Sequence, residues 1–350
     1  MKRLDKEHIR RILIRSANWV GDAIMTTPAV RAIRKDFPKA EISILAKPWV
    51  TPVFFNSPHI DQILIYDNAD KHGGWWGKPR LSKELRKKKF DLAILFQNAF
   101  EAALLAFGAR IPNRVGYSTD GRSLLLTHRV PRMRSYKQFH QIDYYLGILK
   151  GVGLAHEGSH PALFISETER IRAQELLEPY GITESDSIIG INPGATYGTA
   201  KRWMPDRYAA LCDKLIESYD VKLVIFGGPG EEALGGQIAE MISERCIDFC
   251  GKTSLREAMA LIERCRLFIT NDSGLMHVAA ALNRPLVAIF GSTDPVTTGP
   301  YGKKSRIVRS PMDCSPCLKP DCPEDHLCMK QISVDMVYAA AERLIGKIKT

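Results

Sequence analysis

The sequence lacks the hallmarks of several protein classes. No uncharged stretch approaches the length that a membrane-spanning helix requires, and Arg15, Asn18 and Asp22 interrupt the apolar residues near the N-terminus where a signal peptide would have its core. A Gly-x-Gly-x-x-Gly turn after the first strand and a Walker A motif are both missing, which disfavours an NAD enzyme and a P-loop ATPase. Zinc-finger spacings, RNA-binding aromatic signatures and arginine-rich arms are also missing, which argues against a nucleic-acid partner. These absences predict a cytoplasmic protein whose membrane contact, where it has one, is peripheral.

Acidic residues are fewer than basic residues. The 350 residues include 39 Asp plus Glu against 49 Lys plus Arg, which gives a formal net charge of +10. Such an excess predicts an anionic partner, which could be a phosphorylated substrate, an anionic membrane or nucleic acid, and charge alone does not choose among them. The hydrophobic fraction of 45% is that of an ordinary globular protein, and the length fits two domains.

Short apolar runs alternate with helical patterns twice along the chain. Strands are predicted over 11–15, 41–46, 62–66 and 91–96, and again over 187–192, 221–226, 267–270 and 286–290. Helices are predicted between them, with a last helix over 334–347. Alternation of this kind indicates parallel sheets covered by helices. We therefore expect an α/β protein with a first doubly wound domain over 1–165, a linker region over 166–186, and a second doubly wound domain over 187–350, with the ligand in a cleft between them.

Asp22 is the candidate catalytic residue of the first domain. It ends the segment Asn18-Trp19-Val20-Gly21-Asp22, which follows the first predicted strand and opens the first helix. Gly21 permits a tight turn, and a carboxylate at that edge could take the proton of an attacking hydroxyl. Asp is also a favoured helix cap, so position alone leaves the general base and the cap open as alternatives.

Two loops after predicted strands of the second domain could contact a nucleotide. Segment 192–203 contains small and hydroxyl residues, among them Thr196, and Lys201 and Arg202 add positive charge near its end. It could bind phosphates through backbone N–H groups and these cations, or it could be a flexible loop with solvated cations. Glu231 follows glycines at 227–230 and could accept hydrogen bonds from a ribose, although an acid at a helix start also suits the helix dipole.

A third loop, 270–277, opens a helix near Ser273. The free N–H groups at a helix start form an anion site that suits a pyrophosphate. Asp272 has the wrong sign for that role and is expected to orient backbone or ribose. Gly274 lies at the helix start, and His277 lies about one turn beyond Ser273, so both could face the same ligand, although a single histidine on a helix is more often structural.

Together these segments resemble glycosyltransferase family 9. The segment ILIRSANWVGDAIMTTPAVRAIR is similar to the N-terminal strand, Gly-Asp loop and helix of the family, and INPGATYGTAKRWMPDRYAAL and FGGPGE are similar to its donor loops. The segment FITNDSGLMHVAAALNRPLVAIFGSTDPVTTGPYG resembles the C-terminal block of the family. The pair Asn18-Trp19 and the tail CSPCLKPDCPEDHLCM resemble the lipopolysaccharide heptosyltransferase II branch.

The resemblance implies a GT-B fold and an inverting transfer. It implies ADP-L-glycero-D-manno-heptose as the donor, heptosylated Kdo-lipid A of the inner core as the acceptor, and no required cofactor. By the same resemblance Asp22 is the general base and Lys201 neutralises donor phosphate. The remaining donor positions implied are Thr196, Glu231, Asp272, Ser273, Gly274 and His277. Candidate acceptor contacts are Asn18 and Trp19 beside Asp22, and Arg122 and Arg134 from the basic residues of the first domain. A family 9 transferase of another type or sugar, and a non-catalytic nucleotide or nucleic-acid binder, stay open as alternatives.

Two surface features have an open interpretation. Basic residues crowd the later part of the first domain and suit either an acceptor with carboxylates and phosphates or a solvated surface; they are Arg110, Arg114, Arg122, Arg129, Arg132, Arg134 and Lys137. Trp75 and Trp76 lie in a Gly-rich loop before the basic segment 78–89. They are expected either to touch the inner face of the cytoplasmic membrane or to pack beside a basic helix.

The C-terminal cysteines have the spacing C-x₂-C-x₄-C-x₅-C. They are Cys314, Cys317, Cys322 and Cys328, with His326 nearby. Such a set can hold zinc or an iron–sulfur cluster, but it lacks the two-knuckle spacing of a zinc ribbon. We expect a packed, reduced loop without metal, and keep these four thiols as the alternative metal site.

Overall fold

The chain forms two compact units, Met1–Leu163 and Phe164–Thr350. The computed structural model describes residues 4–132, 135–154, 158–244 and 246–346, the side chain of Lys137 excepted. Segment 166–186, which the sequence suggests as a linker region, packs within the second unit. Within the described ranges, no helix is both long enough and apolar enough to cross a membrane.

The first unit is a parallel sheet of six strands with helices packed on it. Its strands are β1 (Arg11–Arg15), β2 (Glu41–Ala46), β3 (Gln62–Ile65), β4 (Leu92–Leu95), β5 (Asn113–Tyr117) and β6 (His128–Val130). Its α-helices are α1 (Val20–Asp36), α2 (Gly74–Lys87), α3 (Phe100–Gly108) and α4 (Gln141–Lys150). The strand order is β3-β2-β1-β4-β5-β6. The chain therefore winds outward on one side of β1 and then on the other, as in a doubly wound fold.

The second unit repeats this plan. Its strands are β7 (Ile188–Asn192), β8 (Lys222–Ile225), β9 (Ile247–Asp248), β10 (Cys265–Asn271), β11 (Leu286–Phe290) and β12 (Ser305–Arg309). Its α-helices are α5 (Glu167–Leu177), α6 (Pro205–Ser218), α7 (Glu232–Met241), α8 (Leu255–Arg264), α9 (Gly274–Ala281), α10 (Pro295–Thr298), α11 (Leu327–Lys330) and α12 (Val334–Ile345). The order β12-β11-β10-β7-β8-β9 places the winding reversal between β7 and β10.

The central strands are buried on both faces, which explains their continuous apolar sequences. In β1, the residues Ile12, Leu13 and Ile14 are all buried although successive side chains point to opposite faces. Strand β11 is buried along its whole length. Parallel sheets covered on both sides by helices require this pattern, because neither face meets water.

All eight predicted strands are present in the structure, and the strands that the sequence did not predict lie toward the ends of the two sheets. Strands β1, β2 and β11 have the predicted bounds. Strands β5, β6, β9 and β12 were not predicted. Strands β6 and β9 have only three and two residues, and β5 and β12 contain no run of three apolar residues like Ile12–Ile14 of β1, so they do not stand out from the surrounding loops.

The loop predicted around Trp75 and Trp76 is wrong, because α2 begins at Gly74. Buried Gly77, Leu81 and Leu85 form its inner face. A Cβ built on Gly77 would lie 2.0 Å from the backbone oxygen of His72, so close packing of the first turn needs this glycine. Tertiary packing therefore extends the helix into a glycine-rich segment whose local propensity disfavours it.

Candidate active site

The winding reversals fall beside the loops that the sequence marks as functional. In the first unit β1 and β4 are neighbours, and the segment with Asn18 and Asp22 follows β1. In the second unit β7 and β10 are neighbours, and the segments with Lys201 and Asp272 follow them. Ligands of open α/β sheets bind at the carboxyl ends of the strands where the order reverses. Each unit therefore offers its candidate residues at the edge where a ligand is expected.

Asp22 lies in the first turn of α1, and Trp19 is the N-cap residue of that helix. Asp22 is therefore not the cap that its position in the sequence allowed. Its carboxylate oxygen Oδ1 accepts a hydrogen bond from the hydroxyl of Tyr145 on α4, at 3.3 Å. Burial, and then the charge of Asp22, raise the pKa of Tyr145 well above its usual value, so its hydroxyl remains protonated and donates. The sequence contains no signal that points to Tyr145, because 123 residues separate it from Asp22.

The segment between β1 and α1 is held by the buried Arg15. The Nη2 group of Arg15 donates to Asn18 Oδ1 at 2.8 Å, and the indole N–H of Trp49 donates to the Asn18 carbonyl at 2.9 Å. The side chain of Trp19 is exposed. Asn18 thus has a positioning role visible in the structure, whereas Trp19 is accessible to a ligand. The contacts of both residues with an acceptor stay predictions.

Lys47 is a second candidate functional residue, after Tyr145, that the sequence did not reveal. It directly follows β2, beside β1, and its Nζ lies 3.6 Å from the centroid of the Tyr66 ring and donates to Asn68 Oδ1. Burial, followed by repulsion from Arg15, lowers the pKa of Lys47 to about 8. A buried cation with a lowered pKa at the ligand edge of a sheet is typical of functional sites.

Arg122, a candidate acceptor contact from the basic residues of the first domain, is fully buried. Its guanidinium donates to the carbonyl of Tyr117 at 2.8 Å, the carbonyl of Gln97 at 2.5 Å and Asn98 Oδ1 at 2.5 Å. Burial lowers the pKa of Arg122. These bonds fix the loop that follows β4. Because β4 is the neighbour of β1 in the sheet, this loop is adjacent to the loop of Asp22, which follows β1. Arg134 lies outside the described residues.

In the second unit Lys201 and Asp272 form an ion pair. Lys201 Nζ lies 2.7 Å from Asp272 Oδ2, and the two side chains are only 14% and 6% exposed. The same Nζ lies 4.9 Å from the centroid of the Tyr197 ring. The pair brings the loop after β7 against the loop after β10. Asp272 therefore orients the lysine in addition to any contact with ribose.

A network of buried amides and hydroxyls joins the ends of β7 and β10. Asn192 Oδ1 accepts from the hydroxyl of Ser273 at 2.6 Å and from that of Thr270 at 3.1 Å. Ser273 is the N-cap residue of α9, whose first residue is Gly274. Because Asn192 engages the Ser273 hydroxyl, the N–H groups of the first turn of α9 can serve an anionic ligand.

Glu231 connects two further loops of this edge. Its Oε2 accepts from the backbone N–H of Gly228 at 2.7 Å. A Cβ built on Gly194 would lie 2.0 Å from Glu231 Oε1, so the carboxylate packs directly on that glycine. Glu231 therefore stands next to the loop of Lys201, where a ribose contact is possible. Thr196 is exposed in that loop, and His277 is buried on α9.

Ser292 and Thr293 are additional candidates after β11. Both residues are buried, and in the described part of the chain their hydroxyl oxygens have no hydrogen-bond partner. Buried hydroxyls are normally satisfied, so these two can serve a polar ligand group at the edge beside β10. The sequence indicated a loop here but gave no reason to choose these two side chains.

The cysteine-rich segment fastens the donor loops together. Asp321 accepts from the hydroxyl of Thr199 at 2.8 Å, and the carbonyl of Pro320 accepts from the N–H of Ala200 at 2.9 Å. On the other side the hydroxyl of Ser315 donates to the carbonyl of Gly291 at 2.6 Å. The segment thereby spans from the loop before Lys201 to the loop after β11.

The four thiols of this segment do not form a compact ligand set. Burial, and then the charges of Cys314, Cys317 and Cys322, raise the pKa of Cys328. Over the ranges that the structure describes, only Asp5, Glu7 and His8 place three ligand atoms within 4.8 Å of one another, and all three residues are exposed. The expectation of a reduced loop without metal stays a prediction.

Comparison with known proteins identifies the family. The model of "Glycosyltransferase family 9 (heptosyltransferase)" matches residues 79–328. The chain is 34% identical over 312 residues to lipopolysaccharide heptosyltransferase 2 of Salmonella typhimurium, a match that covers 85% of this chain and 88% of that protein.

Solved structures show the same fold over nearly the whole chain. The structure of E. coli ADP-heptose LPS heptosyltransferase II is 28% identical, with a TM-score of 0.82 and coverage of 97% of this chain and 100% of that chain. A glycosyltransferase of family 9 from Veillonella parvula is also 28% identical, with a TM-score of 0.87 and coverage of 98% of each chain. These matches confirm the predicted fold class. The chain belongs to glycosyltransferase family 9, the heptosyltransferase family.

Proposed function

We propose that the protein transfers L-glycero-D-manno-heptose from ADP-heptose to the first heptose of the lipopolysaccharide inner core, in heptosyl-Kdo₂-lipid A. The observation that carries this proposal is the identity to lipopolysaccharide heptosyltransferase 2 over most of both chains. The likeness to a structure of an ADP-heptose LPS heptosyltransferase II supports the same donor. The positive net charge suits an acceptor that bears carboxylates and phosphates.

Asp22 acts on the acceptor. Its carboxylate takes the proton of the attacking heptose hydroxyl, while the oxygen of that hydroxyl forms a bond to the anomeric carbon of the donor. The hydrogen bond from Tyr145 orients the carboxylate toward its role as the base. Attack from the face opposite the leaving group inverts the anomeric centre, through a transition state with oxocarbenium character.

Lys201 and the start of α9 act on the donor. The bond from the anomeric carbon to the phosphate oxygen breaks, and ADP leaves with the electron pair. The ammonium group of Lys201 and the N–H groups beyond Ser273 stabilise the negative charge that grows on the diphosphate. Asp272 keeps Lys201 in place, and Glu231 is assigned to the ribose.

A transfer assay tests the proposal. Purified protein is incubated with ADP-heptose and heptosyl-Kdo₂-lipid A, beside Asp22→Ala and Tyr145→Phe. We expect product from the wild type, a rate loss of about 10² or more for Asp22→Ala, and a smaller loss for Tyr145→Phe. Transfer by Asp22→Ala at the wild-type rate would reassign the general base.

The acceptor is tested in parallel. Kdo₂-lipid A, which lacks the first heptose, is offered to the wild-type protein under the same conditions. Efficient transfer to it and none to heptosyl-Kdo₂-lipid A would move the assignment to an enzyme that adds the first heptose. Transfer only from another sugar nucleotide would leave the family assignment intact but would show that ADP-heptose is not the donor.

A further inference from the structure

The first unit exposes a cluster of large apolar side chains on α2, α3 and the adjacent turn. Trp75 and Trp76, in the first turn of α2, are 96% and 79% exposed, and Leu124, in the short helical turn 122–125, is 84% exposed. Phe100 and Phe107 on α3 are about half exposed. Large exposed apolar side chains scattered singly are ordinary, but a group on neighbouring elements indicates an interaction surface.

Helices α2 and α3, which carry most of these side chains, pack directly against each other. Lys78 Nζ lies 3.3 Å from Glu101 Oε2, and the hydroxyl of Ser82 donates to the carbonyl of Leu105 at 3.4 Å. The helices therefore run side by side in the same direction, with their first turns at the same end. The pair Trp75 and Trp76 consequently lies at the end of the face where Phe100 begins α3.

A cavity with two arginines borders this face. It has a volume of about 500 Å³ and is lined by Phe107, Gly108, Arg110, Ile111, Pro112 and Arg114. The Arg114 guanidinium lies 5.4 Å from the centroid of the Phe107 ring, and its Nε donates to the carbonyl of Leu125 at 2.6 Å. The Nη1 group of Arg114 also donates to the carbonyl of Ile111, so two backbone bonds hold this side chain at the cavity, and Arg110 is exposed at its rim.

We propose that this face, which we call the α2–α3 face (Trp75, Trp76, Phe100, Phe107, Leu124), docks on an anionic phospholipid bilayer, with a lipid phosphate held between Arg110 and Arg114. Tryptophan is the side chain that favours the boundary between lipid and water, where its ring is buried and its N–H stays wet. The cations attract the anionic surface over a Debye length, and two guanidinium groups match the oxygens of a phosphate.

The surface deepens the proposed function, because an acceptor anchored by lipid A would be presented at such a bilayer. The biological role of the docking rests on the proposed function, but the docking itself does not require heptose transfer. Vesicle binding can be measured without any sugar transfer, so the two proposals can fail separately.

Vesicle co-sedimentation is the direct test. The full chain is mixed with phosphatidylcholine vesicles with and without phosphatidylglycerol, beside Trp75→Ala/Trp76→Ala and Arg110→Gln. We expect binding to the anionic vesicles, a loss of about tenfold or more in the tryptophan variant, and about fivefold in Arg110→Gln. Binding should also weaken with added salt. The matched controls are Ile171→Ala, an exposed apolar residue of the second unit, and Lys303→Gln, an exposed cation of that unit.

The proposal would be overturned if the wild-type protein did not bind anionic vesicles at low salt. It would also be overturned if the tryptophan variant bound these vesicles as well as the wild type does. If the control variants also lost vesicle binding, then any loss of charge or apolar area on the protein would weaken binding, whatever its position. That result would overturn the assignment of binding to this face.

A kinetic test separates docking from chemistry. With a fully deacylated, water-soluble acceptor the tryptophan variant should retain the wild-type kcat and KM. With an acceptor embedded in anionic vesicles its apparent KM should rise about tenfold, while kcat at saturation is kept. Equal losses on both acceptors would show damage to the fold, and equal retention on both would overturn the docking role.

Discussion

The ion pair between Lys201 and Asp272 allows a sharp test of donor binding. Lys201→Met keeps the aliphatic stem and removes the charge. If Lys201 holds the diphosphate, the variant loses one charge-assisted hydrogen bond, which is worth about 1.5–3 kcal/mol, or about 10–150-fold in ADP affinity. Isothermal titration calorimetry with ADP measures this loss directly, because it needs no acceptor.

The same substitution should also destabilise the fold. Asp272 is 6% exposed and would be left without the cation that lies 2.7 Å away. Breaking a fully buried pair costs about 3–5 kcal/mol, and the partial exposure of Lys201 reduces our expectation to about 2 kcal/mol in urea unfolding. In the double variant Lys201→Met/Asp272→Asn no unpaired charge remains, so stability should largely return while ADP affinity stays low.

The control is the pair Lys252 and Asp248 of the same unit, in which the lysine is 58% exposed and its Nζ lies 3.2 Å from Asp248 Oδ2. Lys252→Met should change the free energy of unfolding by less than about 1 kcal/mol and leave ADP affinity unchanged. If Lys201→Met binds ADP within about twofold of the wild type while its stability falls as expected, then the lysine is structural and the donor assignment is refuted.

Three further outcomes are expected. Asp22→Asn should lower kcat about 10²–10⁴-fold with ADP affinity unchanged in calorimetry, and Tyr145→Phe should lower kcat less; a loss of ADP affinity in Asp22→Asn would contradict its placement on the acceptor side. If Lys47 contacts the anionic acceptor, its pKa of about 8 means that its charge is lost as the pH rises through that value, so acceptor KM should rise there and Lys47→Met should flatten the profile. The hydrogen bonds from Arg256 lower the pKa of Glu169 to about 2, from its ordinary value of 4.5. The stability from this pair is therefore present above pH 4.5 and lost as pH falls toward 2, and Glu169→Gln should remove that part of the acid-unfolding curve.

The sequence alone determined the layout of the fold and the neighbourhoods of the site. Continuous apolar runs such as those of β1 and β11 are visible because a strand buried on both faces must be apolar at every position. A Gly-Asp pair after the first strand predicts a polar residue at the ligand edge, because parallel strands end on one side of the sheet. Strands without a run of three apolar residues, such as β5 and β12, carry no such signal.

Only the tertiary structure decided which side chains meet. Tyr145 reaches Asp22 across 123 residues, and Lys201 reaches Asp272 across 71. The exclusion of Asp22 as a helix cap likewise depended on where α1 begins. Such contacts depend on strand register and helix packing over long separations, whereas periodicity and composition report only the local burial of each segment. For the same physical reason the glycine-rich segment at Trp75 was predicted as a loop, although packing at Gly77 makes it the first turn of a helix.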